Sequence, residues 1–256
     1  MRKNIACLIF CVFICRAVYA DQEKKADPNQ LFYGANSVYE KGDYAKAIEQ
    51  YLSVIDSGIT SGNLLYNAGN AFFKSGKIGH AILHYKKAER MIPHDSDLKS
   101  NLGYARSVAA DAAPESDPAG RLVRIAVYPL KDLGLVKVTL ISVALYIVTA
   151  LITAILILHP DLRRRFLASY VLILTVSLYG IFVFCARYYD EVVLVRGIVV
   201  EKDVDAKYEP IDKSTTYFKL GHGAGVVILK TKNGWRRIRR SDGKVAWVKE
   251  ESVGQI

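Results

Sequence analysis

The sequence predicts a multidomain chain: an α-solenoid of helical repeats, then a two-helix transmembrane hairpin, then a small all-β domain. Its first part repeats itself at an offset of 34 residues, and its middle holds two long apolar runs without charge. Its last quarter alternates β-prone segments with Asn-Gly and Asp-Gly turns.

Residues 1–20 read as an address. Arg2 and Lys3 form a positive head, Ile5–Cys15 is an 11-residue apolar run, and Ala20 precedes the polar stretch beginning at Asp21. This is the layout of a signal peptide with cleavage expected after Ala20. Arg16, just behind the apolar run, leaves an uncleaved anchor as the alternative. Cys7, Cys11 and Cys15 share helical spacing but lie inside that targeting segment, and Cys185 lies in another apolar run. The mature chain is therefore expected to hold no disulfide.

The next segment, residues 28–108, carries the repeat. Gly42 and Gly76, Ala47 and Ala81, Ile48 and Ile82, and Tyr51 and Tyr85 match at the same offset. Each glycine suits the end of a first helix, each alanine a close approach of the second helix, and each tyrosine the gap between them. Leu102-Gly103 continues the register from Ala68-Gly69, so a third first-helix or a capping helix is expected there. These residues resemble tetratricopeptide repeats. Ile59 departs from the pattern where the second repeat has Pro93, and the third repeat lacks a second helix. The resemblance implies a partner-binding groove lined by Phe32, Asn36, Tyr66, Asn70, Phe73 and Lys74. Asn36 and Asn70 are candidates to hydrogen-bond a peptide backbone; the alternative is that Asn70 only follows the repeat pattern and faces water. His80 and His84 sit at helical i, i+4 spacing, but "HAILH" lacks the glutamate of a metalloprotease helix and a third ligand, which favours surface histidines.

Residues 109–137 are a small, polar, proline-containing linker followed by a juxtamembrane stretch with Arg121, Arg124 and Lys131. That stretch is either an interfacial segment in the outer headgroup region or simply the lead-in to the first span. The runs Val138–Leu158 and Phe166–Ala186 each have 21 residues and no charge. At 1.5 Å per residue, such a helix matches a hydrocarbon core of about 30 Å. Residues 159–165 join them, with Pro160 and the triple arginine Arg163, Arg164 and Arg165. A basic short connection stays in the cytoplasm, so both flanking parts are expected outside it, in agreement with the signal peptide. Neither span holds an ionisable side chain apart from Cys185 and the tyrosines, so the hairpin reads as an anchor rather than a transport path. Its Ser, Thr, Tyr179 and Gly180 are candidates for packing against partner helices.

Residues 190–256 read as hairpins. "NGWRRIRRSDGKVAWV" (233–248) sets four arginines between two tryptophans, a pattern that also suits nucleic-acid binding. Period 2 puts Trp235, Arg237 and Arg239 on one strand face and Arg236, Ile238 and Arg240 on the other, with Ile238 in the core. The segments "VDAKYEP", "LGHGAGVVIL", "NGWRRI" and "SDGKVAWVKEESV" resemble the bacterial SH3-like domain, although Lys207 stands where that family usually has Arg. The resemblance implies a peptide- or wall-binding barrel, with Trp235, Arg237, Arg239 and Trp247 as the contact candidates. The bland reading of the arginines is a solvated basic face.

The net charge of +10 is spread as +3, +1, +3 and +3 over residues 1–20, 21–110, 111–189 and 190–256, so no region is a concentrated polycation. With an extracytoplasmic location, this argues against nucleic acid as partner. No phosphate loop, nucleophile elbow, metal cluster or paired carboxylates are visible, which points away from an enzyme and from any cofactor. In their order along the chain, these modules resemble the BatE-like tetratricopeptide component of the Bacteroides aerotolerance (Bat) operon family. That resemblance implies a cell-envelope scaffold of the cytoplasmic membrane, linked to aerotolerance and stress resistance. Its implied partners are von Willebrand factor A-type (VWA-domain) membrane proteins and a MoxR-type ATPase. The competing class is an envelope sensor or tether that binds peptidoglycan through the SH3-like domain.

Overall fold

The computed structural model describes residues 28–109, 118–130 and 133–256. The expected signal segment, the centre of the linker and Lys131 lie outside the described residues. The chain divides into two compact units at Ala109/Ala110.

The first unit is made of paired helices: α1 (Pro28–Glu40), α2 (Tyr44–Asp56), α3 (Gly62–Lys74), α4 (Ile78–Met91) and α5 (Ser96–Val108). Side chains that suit a helix start cap three of them. Asp43 accepts from the Lys46 amide at 3.1 Å, Ser61 from Leu64 at 3.2 Å, and Asp95 from Leu98 at 2.7 Å. Gly42 (φ 82°) and Gly76 (φ 79°) end α1 and α3 in the left-handed region, where a Cβ is costly. Ala47 and Ala81 are fully buried, and Tyr51 and Tyr85 fill the space between paired helices. Burial of each such ring contributes roughly 2 kcal/mol. At Gly69 a Cβ would lie 2.6 Å from the Tyr85 ring, so α3 meets α4 only because that side chain is missing.

The second unit begins with α6 (Pro118–Val127) and a 3₁₀ turn (Tyr128–Leu130), then the long helices α7 (Leu135–Leu158) and α8 (Pro160–Tyr188). Both long helices have the length and apolar composition to cross a membrane. Only 11% and 17% of their most apolar windows are buried within the chain, unlike core helices. Their connection is tighter than the seven-residue loop expected. Proline is favoured at the first position of a helix, so Pro160 starts α8 and places Arg163–Arg165 in its opening turns. Several polar side chains of the hairpin bond within the chain. Ser142 Oγ donates to the Gly180 carbonyl at 3.0 Å, Thr149 Oγ1 to Ser177 Oγ at 3.2 Å, and the Thr153 and Tyr170 hydroxyls meet at 3.1 Å. They join α7 to α8.

A π-helical turn (Tyr189–Val193) leads from α8 into a seven-stranded antiparallel sheet: β1 (Val195–Val199), β2 (Val204–Lys207), β3 (Thr216–Leu220), β4 (Gly225–Lys232), β5 (Trp235–Arg240), β6 (Val245–Lys249) and β7 (Val253–Gln255). The strand order is β3-β2-β6-β5-β4-β1-β7. Asn233 (φ 50°) and Gly234 (φ 76°) both sit in the left-handed region, as a tight two-residue hairpin turn requires. Val199, Val204, Ala206, Leu220, Val226, Ile238, Ala246, Val248 and Val253 form its core.

Candidate functional site

The helical unit holds a polar ladder that repeats with the sequence. Asn36 Oδ1 accepts from the Tyr51 hydroxyl at 2.7 Å and from Asn67 Nδ2 at 3.0 Å. One repeat on, Asn70 Oδ1 accepts from the Tyr85 hydroxyl at 2.7 Å and from Asn101 Nδ2 at 3.1 Å. Asn101 Nδ2 also donates to the Tyr66 hydroxyl at 2.8 Å. Burial raises the Tyr51 hydroxyl to about 12 and pushes that of Tyr85 upward as well, so both remain donors at neutral pH.

The ladder links α1, α3 and α5, the first helices of successive pairs, and gathers most of the candidates. Phe32 packs on the Tyr51 ring at 6.3 Å, and Phe73 on Tyr104 at 5.4 Å, while Lys74 is exposed at the end of α3. Both asparagine Oδ1 atoms are saturated from within. The Nδ2 groups of Asn36 and Asn70 have no partner among the described residues. Asn67, Asn101 and Tyr104 were not singled out from the sequence. The first two are themselves 34 residues apart, a signal that was there to read.

His84 is buried rather than a surface histidine. Its ring stacks on Phe72 at 4.7 Å, and its Nδ1 lies 2.9 Å from the His80 carbonyl. His80 stacks on the same Phe72 ring at 5.0 Å. Burial holds the His84 imidazole down to about 4 from its ordinary 6.5, and the nearby Lys87 and His80 charges act in the same direction. Between pH 6.5 and 4 the unfolded chain therefore binds a proton that the folded unit excludes. Stability is complete above 6.5 and is lost as pH falls towards 4, by at most about 3 kcal/mol. The urea midpoint of the helical signal is expected to drop between pH 7.5 and 5 in the native chain. In His84→Gln the part of that drop due to this ring disappears; an identical drop in both proteins would rule the assignment out.

In the sheet, β5 sorts its four arginines by face. Arg236 and Arg240 share the side of Ile238, near the two strand ends, and are engaged there. Arg236 donates to the Val253 carbonyl and to Glu250 at 3.0 Å. Arg240 pairs with Asp242 and lies 4.5 Å over the Phe218 ring. That pairing holds the Asp242 carboxyl at about 2. Arg237 and Arg239 point to the other face and have no ion-pair partner among the described residues. Arg237 stands across from Trp247 on β6 and Lys230 on β4, and Trp247 stands across from Lys207 on β2. The result is a cross-strand row of three cations and one indole. Trp235 is 9% exposed; it pairs with Lys249 and, with Asp212, Gly234, Glu250 and Glu251, lines an open depression. Trp235 therefore offers a ligand little of its ring. No protein-family model matches the chain, and no curated protein sequence matches it.

Proposed function

We propose that this protein is a non-enzymatic, membrane-anchored scaffold of the cell envelope. Its helical unit is a tetratricopeptide-type groove that binds protein partners, and its β unit is an SH3-like barrel. The asparagine–tyrosine ladder carries this reading. It fixes two amides, 34 residues apart, with their oxygens occupied and their N–H groups available, an arrangement suited to the carbonyls of an extended peptide. Phe32, Phe73 and Tyr104 supply neighbouring apolar surface. The hairpin holds the scaffold in the cytoplasmic membrane, with the helical repeats and the sheet outside the cytoplasm. By its resemblance to the Bat family, its partners are VWA-domain membrane proteins and a MoxR-type ATPase. Crosslinking of the intact protein in its own membrane, followed by mass spectrometry, tests this. Recovery of VWA-domain proteins or the ATPase supports the Bat-type complex, and their absence removes it.

The row Lys207–Trp247–Arg237–Lys230 favours a second reading, a tether that grips anionic wall polymer through the β unit. Purified peptidoglycan would then retain the protein, and Arg237→Ser with Arg239→Ser would release it. No retention leaves the scaffold reading alone.

A further inference from the structure

The short helix α6 is separate from the long helix α7 and packs against α8. The Tyr179 hydroxyl of α8 donates to the Ala126 carbonyl of α6 at 2.7 Å. Arg187, near the end of α8, donates to the Leu130 carbonyl at 3.3 Å and to the Leu133 carbonyl. Its guanidinium also pairs with Glu191 at 2.6 Å. The last carbonyls of a helix have no partner inside it, and in hydrocarbon there is no water to supply one. Here α8 side chains supply donors to α6 and to the turn behind it. Tyr179 lies seven residues before Ala186, the end of the apolar run, which is about 10 Å of helix. Its partner in α6 therefore sits beside the apolar part of the span. Leu122 and Ile125, one turn apart on α6, are 69% and 63% exposed, and Tyr128 follows them outward. An apolar face of this kind beside a membrane span has one natural occupant, which is lipid.

We propose that α6 is an interfacial helix docked on the second span. Its Leu122–Ile125 face is buried in the leaflet at the end of the hairpin where Arg187 lies. This deepens, and rests on, the membrane-anchored reading. It makes the hairpin a three-element anchor.

The test uses the full chain with Cys7, Cys11, Cys15 and Cys185 replaced by serine. A single fluorescent label is then placed at Leu122→Cys, Ile147→Cys or Lys219→Cys. The proteins are reconstituted into phosphatidylcholine–phosphatidylglycerol vesicles carrying a nitroxide quencher at a shallow or a deep acyl position. Ile147, exposed on α7, is expected to be quenched most by the deep nitroxide, and Lys219, exposed on β3, by neither. Leu122 is expected to be quenched by the shallow nitroxide at least threefold more than Lys219. Quenching at Ile147 with none at Leu122 overturns the interfacial helix and leaves the spans intact. Absence of quenching at both overturns the spans, and the interfacial helix with them.

Discussion

Replacing Tyr85 by alanine is expected to cost the helical unit about 3–5 kcal/mol, the range for deleting a large buried aromatic ring. The ring fills the gap between α3 and α4 against Gly69 and lies 5.9 Å from the Tyr66 ring. Its loss opens a cavity and also leaves Asn70 without one of its two donors. A unit of five short helices has little stability to spare. Tyr85→Phe separates the two effects, since it keeps the ring and removes only the hydroxyl, at a cost of about 1 kcal/mol. Urea unfolding of the purified protein, followed by far-ultraviolet circular dichroism, should rank native above Tyr85→Phe above Tyr85→Ala. Equal midpoints for native and Tyr85→Ala would mean that the ring does not hold the helix pair together.

Gly197→Val is expected to have a comparable effect on the sheet. A Cβ at Gly197 would lie 2.7 Å from Val253 Cγ1, 3.0 Å from Ile228 Cδ1 and 3.2 Å from the Gly254 carbonyl oxygen. Gly197 pairs with Val226 on one side and Gln255 on the other, so a valine side chain has to part β1 from a neighbour. Overpacking of this kind costs about 3 kcal/mol. The chain has two tryptophans, Trp235 and Trp247, and both lie in the sheet. Tryptophan emission therefore reports this unit selectively. The variant should show red-shifted emission or a lower urea midpoint by fluorescence, with the helical signal of the first unit unchanged. Emission and midpoint identical to the native protein would contradict the tight closure of β1 on β7.

The elements most legible in the sequence were those set by periodicity. The offset of 34 located Gly42, Gly76, Tyr51 and Tyr85, and the structure gives each pair the same environment. Period 2 sorted the β5 arginines, because a strand has only two faces and Ile238 had to take the inner one. Features that depend on distant partners were not legible. The burial of His84 comes from Phe72 on the preceding helix, so spacing within its own helix could not reveal it. The hairpin hydroxyls were open to any partner helix until α7 and α8 were placed side by side. The linker's apolar tail suited both an interfacial helix and a lead-in to the span, and contacts with Tyr179 and Arg187 made it a separate helix. In the ladder, Asn36 and Asn70 stand out by their repeat, and Asn67 and Asn101 share the same 34-residue spacing.

In the proposed scaffold, two spans joined by a tight turn put α1–α5 and the sheet on the same side of a membrane. A reporter enzyme that is active only outside the cytoplasm tests this in living cells. Fused after Ile256 it should be active, and inserted between His159 and Pro160, beside the triple arginine, it should be inactive. An inactive fusion at Ile256, or activity at both positions, would contradict the anchored extracytoplasmic scaffold.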